Sequence, residues 1–106
     1  MLTPFTSNQF SDADGNPAGG TTYGPGFAIG WQNGPLGRDG DRQEPNGAFV
    51  ETVIKAAADR IEFYQRSKFA SADNQEALDH LNSALAALHR RTAEREARQV
   101  EGTHAV

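Results

Sequence analysis

Four arginines, Arg90, Arg91, Arg95 and Arg98, fall within nine consecutive positions of a chain whose net charge is −4. On a helix Arg91, Arg95 and Arg98 sit at i, i+4 and i+7 and share one face. Like charges one turn apart destabilise a helix by roughly a few tenths of a kcal/mol, so either Glu94 or an external anion has to offset them. Arginine suits the second task, because its planar guanidinium grips phosphate in a bidentate fork and stacks on flat rings. The plainer reading is a solvated helix end laced with Glu94 and Glu96, where arginine also complements the helix dipole.

Three further features could carry chemistry. Gly34-Pro-Leu-Gly37-Arg38 can offer backbone N–H groups and a guanidinium to a phosphate. It departs from a P-loop in its glycine spacing and lacks the Gly-Lys-Ser/Thr sequel, so on this motif alone a tight turn with Asn33-Gly34 as punctuation is the preferred reading. Phe63 and Tyr64 are adjacent on a predicted helix, so one of them must leave the packed face, where its ring could stack on a purine. Phe69 lies beyond them. Asn74 can donate and accept at once, as reading an adenine edge requires. Catalysis finds little support: there is no Ser-His-Asp set, no His-Glu-x-x-His and no paired carboxylates. With no cysteine, and with His80, His89 and His104 lacking ligand spacing, no metal site and no cofactor are expected.

The elements that must position these groups are legible in part. Residues 1–26 carry no lysine or arginine and are broken by Asp14-Gly15, Gly19-Gly20 and Gly24-Pro25-Gly26. They read as turns and irregular chain. Phe27, Ile29 and Trp31 alternate with small or polar neighbours, which predicts a short strand. A second strand would come from around 5–10 or 21–23. The glycine-rich turn and a charged loop follow, to Pro45. Asn46 is a candidate N-cap for a helix over 48–67, whose stripe is Val50, Val53, Ile54, Ala57, Ile61 and Tyr64. Asp73 and Glu76 then form a capping pattern for a helix over 73–98, with Leu78, Leu81, Leu85 and Leu88 as its stripe and Gly102 past its end. A C-terminal tail, 99–106, closes the chain. The predicted class is α+β: a small antiparallel sheet followed by an antiparallel two-helix hairpin, with 1–26 irregular and 27–106 one domain.

With 106 residues and a glycine- and proline-rich first third, the core is small, which favours an oligomer. The acidic balance argues against duplex DNA as a partner. Met1-Leu-Thr-Pro-Phe5 lacks the basic and apolar regions of a signal peptide, and no apolar run has membrane length. The chain therefore reads as soluble and cytosolic.

Read together, Trp31-Gln-Asn-Gly-Pro, Asn46-Gly47, Arg60, Phe63-Tyr-Gln65, Phe69-Ala, Asn74, Ala84-Leu85, Leu88, Arg91-Thr, Arg95-Glu-Ala-Arg98 and Val100-Glu-Gly-Thr103 resemble the first-described sponge family of phage Thoeris anti-defence proteins. That family shares a helical-hairpin domain with phage anti-CBASS sponges. The resemblance covers about residues 27–106. It implies a non-enzymatic protein in the cytoplasm of the infected bacterium. Such a protein binds cyclic ADP-ribose isomers such as glycocyclic ADP-ribose, and in some members cyclic di- and trinucleotides, without cleaving them. It also implies dimers that assemble into hexamers, with the first site between hairpin and sheet near the dimer interface. Matched positions for the first site are Phe63 or Tyr64, Asn74, Arg91 and Thr92, with a loop arginine that is Arg38 or Arg42; Arg42 is carried as the candidate. Trp31, Gly37 and Arg38 match the second, oligonucleotide site. Two departures stand out: Ser71 where cysteine is expected, and a longer, more charged loop over 38–45. The alternative reading is an oligomeric protein-interaction module whose arginine face docks an acidic partner.

Overall fold

The computed structural model describes residues 1–106. Three antiparallel strands, β1 (Thr6–Ser11), β2 (Pro17–Gly24) and β3 (Phe27–Asn33), form a sheet in the order β1-β2-β3. A 3-10 turn at Asp39–Asp41 leads to two helices, α1 (Val50–Gln65) and α2 (Ala72–Ala97). The α+β class is as predicted. The chain forms two compact units. One compact unit comprises Met1–Phe49 with Gln99–Val106, and the other is Val50–Arg98. The strand and turn of 27–45 thus group with the N-terminal segment and the tail.

The larger correction concerns residues 1–26, which hold β1 and β2 and are not irregular. Their strands lack an aliphatic alternation because polar cross-strand contacts order this sheet. Thr22 faces Ser7 on one side and Ile29 on the other. Only 8% exposed, it accepts a hydrogen bond from the Trp31 indole N–H at 2.8 Å and pairs with the Ser7 hydroxyl at 2.7 Å. Gly19-Gly20, which reads as a break, lies inside β2 opposite a register shift in β1. A Cβ on Gly20 would come within 2.3 Å of the Asn8 carbonyl oxygen, so here glycine marks a bulged close approach. The β1–β2 turn is built on Asp12, whose carboxylate accepts the backbone N–H of Asn16 and of Asp14, both at 2.9 Å. The bond from Asn16 does most to hold the Asp12 carboxyl below its ordinary range.

The exit from β3 is closed by reciprocal amide bonds. Asn46 Oδ1 accepts from the Asn33 N–H at 2.8 Å, and Asn46 Nδ2 donates to the Asn33 carbonyl at 3.0 Å. Gln32 Oε1 accepts from the N–H groups of Asn46 and Gly47. Asn46 therefore fastens the 34–45 loop at its base and is not a helix cap; α1 begins four residues later.

The helices run antiparallel, joined by residues 66–71. Gln65 at the end of α1 bonds to Ser71 and Gln75, whereas Glu51 at its start pairs with Arg91. Ser71 caps α2, its hydroxyl accepting the Asn74 N–H at 3.0 Å, in place of the Asp73–Glu76 box. Ser71 has the extended backbone that a cap requires, while Asp73 is already helical and simply adds negative charge to the first turn. At the far end Gln99, at φ 60°, takes the left-handed position expected for Gly102. The packed face of α1 runs through Ala58, which is fully buried, and not through Ala57, which is exposed. Leu78 of α2, 7% exposed, is the only other buried apolar side chain in the protein. Leu78→Ala is expected to cost the hairpin about 2–3 kcal/mol, read as an earlier urea midpoint of the helical circular dichroism signal. By contrast Phe5, Phe10, Phe63 and Phe69 each leave more than half their surface open. No helix is long and apolar enough to cross a membrane.

Candidate ligand-binding site

The two ends of the helical hairpin carry different chemistry. At the bend, Phe63 and Tyr64 are both exposed, with ring centroids 6.3 Å apart and a 61° tilt. Both lie off the packed face, so the predicted outward ring is in fact a pair. The Arg60 guanidinium lies 5.0 Å from each centroid, and its Nε–H donates to the Tyr64 hydroxyl at 3.1 Å. Asn74 sits in the first turn of α2, where its Nδ2 donates to the Phe69 carbonyl at 3.3 Å. Its Oδ1 makes no bond within the hairpin and can accept one.

The open end carries Arg91 and Thr92. Arg91 is well exposed and faces Glu51 at 3.7 Å, a loose pair that water screens heavily. The Thr92 hydroxyl donates to the Leu88 carbonyl at 3.2 Å, which leaves its oxygen lone pairs available as acceptors. Arg98 is held by Glu94 one turn back. The arginine face therefore carries its own carboxylates, and a bare cationic surface for an acidic partner is not what the hairpin presents. A groove of about 460 Å³ opens near this end, lined by Glu51, Thr52, Lys55, Ala56, Asp59 and Leu85. Its two carboxylates, with the single ammonium of Lys55 already paired to Asp59 at 3.0 Å, make it a poor seat for phosphate.

Asn74 and Arg91 are separated by seventeen residues of one helix, about 25 Å at 1.5 Å rise per residue. No nucleotide-sized ligand touches both within one hairpin. Phe63, Tyr64, Asn74, Arg91 and Thr92, matched to one first site near a dimer interface, stand at the two ends of the hairpin within a single chain.

The glycine-rich turn is occupied by the chain itself. The Gly37 N–H donates to the Gly102 carbonyl at 2.8 Å, and Arg38 Nη1 to the Glu101 carbonyl at 2.9 Å. Arg42 Nη1 meets the Glu101 carboxylate at 2.7 Å and the Gly37 carbonyl at 3.2 Å. The donors assigned to incoming phosphate thus hold the Val100-Glu-Gly-Thr103 tail. Arg42, carried as a first-site residue, sits in the loop unit with Glu101 as its ion partner. Trp31 has its ring N–H engaged with Thr22 in the sheet, not turned to the Gly37–Arg38 turn.

Comparison with known proteins gives the family of the hairpin. The model for the Acb2/Tad1 hairpin domain matches residues 25–93, about two thirds of the chain. The protein belongs to this family. It is also 40% identical over 76 residues to Thoeris anti-defense 1 of Bacillus phage SBSphiJ7. That alignment covers 72% of this chain and 51% of the relative, so the chain spans about half the relative's length. The Acb2/Tad1 hairpin match takes in β3, the glycine-rich turn, α1 and α2 through Thr92, and so every first- and second-site candidate. It stops before Arg95, Arg98 and the closing Val100-Glu-Gly-Thr103. Within the Acb2/Tad1 hairpin of this chain, sequence reasoning did not anticipate the Arg60 contact with both rings. The available signal was its spacing: Phe63 and Tyr64 lie three and four residues on, where helix neighbours meet.

Proposed function

We propose that this chain is a phage-encoded sponge that captures cyclic nucleotide immune signals of the infected bacterium and so protects the phage from Thoeris defence. Cyclic ADP-ribose isomers such as glycocyclic ADP-ribose are the main ligands. The protein acts by binding alone, holding the signal intact in the host cytoplasm. Cyclic di- and trinucleotides are secondary ligands at the Gly37–Arg38 turn, where they take over the donors that otherwise hold the closing tail, and this extends the reading to CBASS signals. Family membership and the anti-defence name of the phage relative support this reading.

The observation that carries it is the division of the hairpin's polar and aromatic groups between two ends. A sponge competes with a receptor and needs nanomolar affinity, about −12 kcal/mol. At roughly −0.3 kcal/mol per heavy atom, a dinucleotide-like ligand reaches that value only when nearly all of it is engaged. One protomer offers half of such a site at each end. Two antiparallel copies bring the Phe63–Tyr64–Asn74 end of one against the Arg91–Thr92 end of the other, which encloses base and diphosphate together. The exposed phenylalanines and the two-residue core support the same self-association, into a dimer and then a hexamer.

The test is to mix the protein with a panel of cyclic ADP-ribose isomers and cyclic oligonucleotides, remove free ligand, heat-denature and assay what is released. Intact signal is the expected result. A converted product would point to an enzyme, and no depletion across the panel would leave only the interaction module.

A further inference from the structure

We propose that Arg60 is an anion-binding residue of the hairpin site, a phosphate contact held in place by the aromatic pair beside it. This rests on the sponge reading and adds a residue and a division of labour to it. Arg60 is fixed by three contacts: the faces of Phe63 and Tyr64, each 5.0 Å from its guanidinium carbon, and the Tyr64 hydroxyl, which takes its Nε–H at 3.1 Å. None of these neutralises its charge. No carboxylate lies within ion-pair distance of it, in contrast to Arg91 with Glu51, Arg98 with Glu94 and Arg42 with Glu101. Its Nη groups keep their N–H donors, and they form the edge of the fork that takes two phosphate oxygens at once.

An arginine on a helix surface ordinarily loses conformational freedom when it binds, and that loss weakens the interaction. Here the rings impose the order beforehand, and the cation stays unpaired. An aromatic platform and an anion fork 5.0 Å apart lie within the span of one nucleotide. The matching ligand is a nucleotide whose base stacks on the ring surface that Arg60 leaves uncovered, while its phosphate turns toward the guanidinium. Arg91 then contacts the ligand from the other end of a neighbouring hairpin, so the two phosphates of an ADP-ribose isomer meet two different arginines.

The experiment measures glycocyclic ADP-ribose binding by equilibrium dialysis for the full chain, Arg60→Ala, Arg60→Lys and Tyr64→Phe, each checked by thermal melting. Arg60→Ala is expected to bind at least tenfold more weakly with an unchanged melt. Arg60→Lys should recover little of that loss, because an ammonium lacks the planar fork. Tyr64→Phe should lose severalfold less than Arg60→Ala, since it keeps the ring and removes only one restraint. Full affinity in folded Arg60→Ala overturns the proposal. So do equal losses in Tyr64→Phe and Arg60→Ala, which would mean that the arginine acts only through the phenol. An unmutated chain that retains no signal overturns the sponge reading itself, and this inference with it. A chain that retains signal irrespective of Arg60 overturns this inference alone.

Discussion

Arg91→Ala is expected to abolish retention of cyclic ADP-ribose isomers while leaving the hairpin folded. Removing one partner of an enclosed, hydrogen-bonded charge pair typically costs about 2–5 kcal/mol, which is roughly a thirty-fold to several-thousand-fold loss of affinity. The fold should not register the change. The one ion partner of Arg91 in the chain is Glu51 at 3.7 Å, with both side chains partly in water. Such a pair contributes no more than about 1 kcal/mol. Equilibrium dialysis with glycocyclic ADP-ribose reads the binding, and circular dichroism melting reads the fold. Arg91→Lys should stay impaired, because it keeps the charge and loses the bidentate fork. Undiminished retention by folded Arg91→Ala would remove this residue from the site.

The second large effect is on stability. Gly47→Ala should unfasten the base of the 34–45 loop. A Cβ at Gly47 would stand 2.6 Å from the Trp31 carbonyl carbon and oxygen and 2.7 Å from the Gln32 nitrogen. These are backbone atoms of β3, and no side chain can swing aside to relieve the contact. Yielding would break the bonds from the Gln32 N–H to the Ala48 carbonyl and from the Ala48 N–H to the Gly30 carbonyl, at 3.0 and 2.7 Å. A penalty of about 3 kcal/mol or more follows from the usual severity of such strain, which for a protein of this size lowers the melting temperature by on the order of 10–20 °C. Gly40→Ala is the control: no atom lies within 4 Å of a Cβ there, and its melt should be close to that of the unmutated chain. Equal melting of the two variants would show that the Gly47 contact relaxes freely.

These two residues also mark how much was legible beforehand. Spacing placed Arg91 on a shared arginine face beside a leucine stripe running from Leu78 to Leu88, because a helix converts i, i+4 and i+7 into one face, and the family resemblance then made it a candidate ligand contact. The same local rule located both helices to within two residues at every end. Gly47 was visible only as half of an Asn-Gly pair, and Asn46 beside it was misread as a cap. The pair's function depends on Gln32 and Asn33, thirteen to fifteen residues earlier, and no local pattern announces that pairing. β1 and β2 were obscured for a related reason. Their order comes from the Ser7–Thr22–Trp31 contacts and from a glycine bulge, and not from alternating aliphatic residues. Arg60 lay between the two cases: its spacing to Phe63 and Tyr64 was plain, but an arginine near aromatic residues acquires meaning only once rotamers place it over both rings.

The sequence by itself determined the α+β class, the two helices, the family and the residue types that could meet a nucleotide, because helical periodicity and motif spacing are properties of neighbours along the chain. The tertiary structure decided three other things. It made a sheet of the first 26 residues, closed the tail over the glycine-rich turn through Glu101, and set Asn74 and Arg91 at opposite ends of one hairpin. Each depends on contacts between distant segments or on the rigid length of a helix. A 1.5 Å rise repeated over seventeen residues carries Asn74 and Arg91 further apart than one ligand can reach within one chain, so a site that uses both needs a second copy.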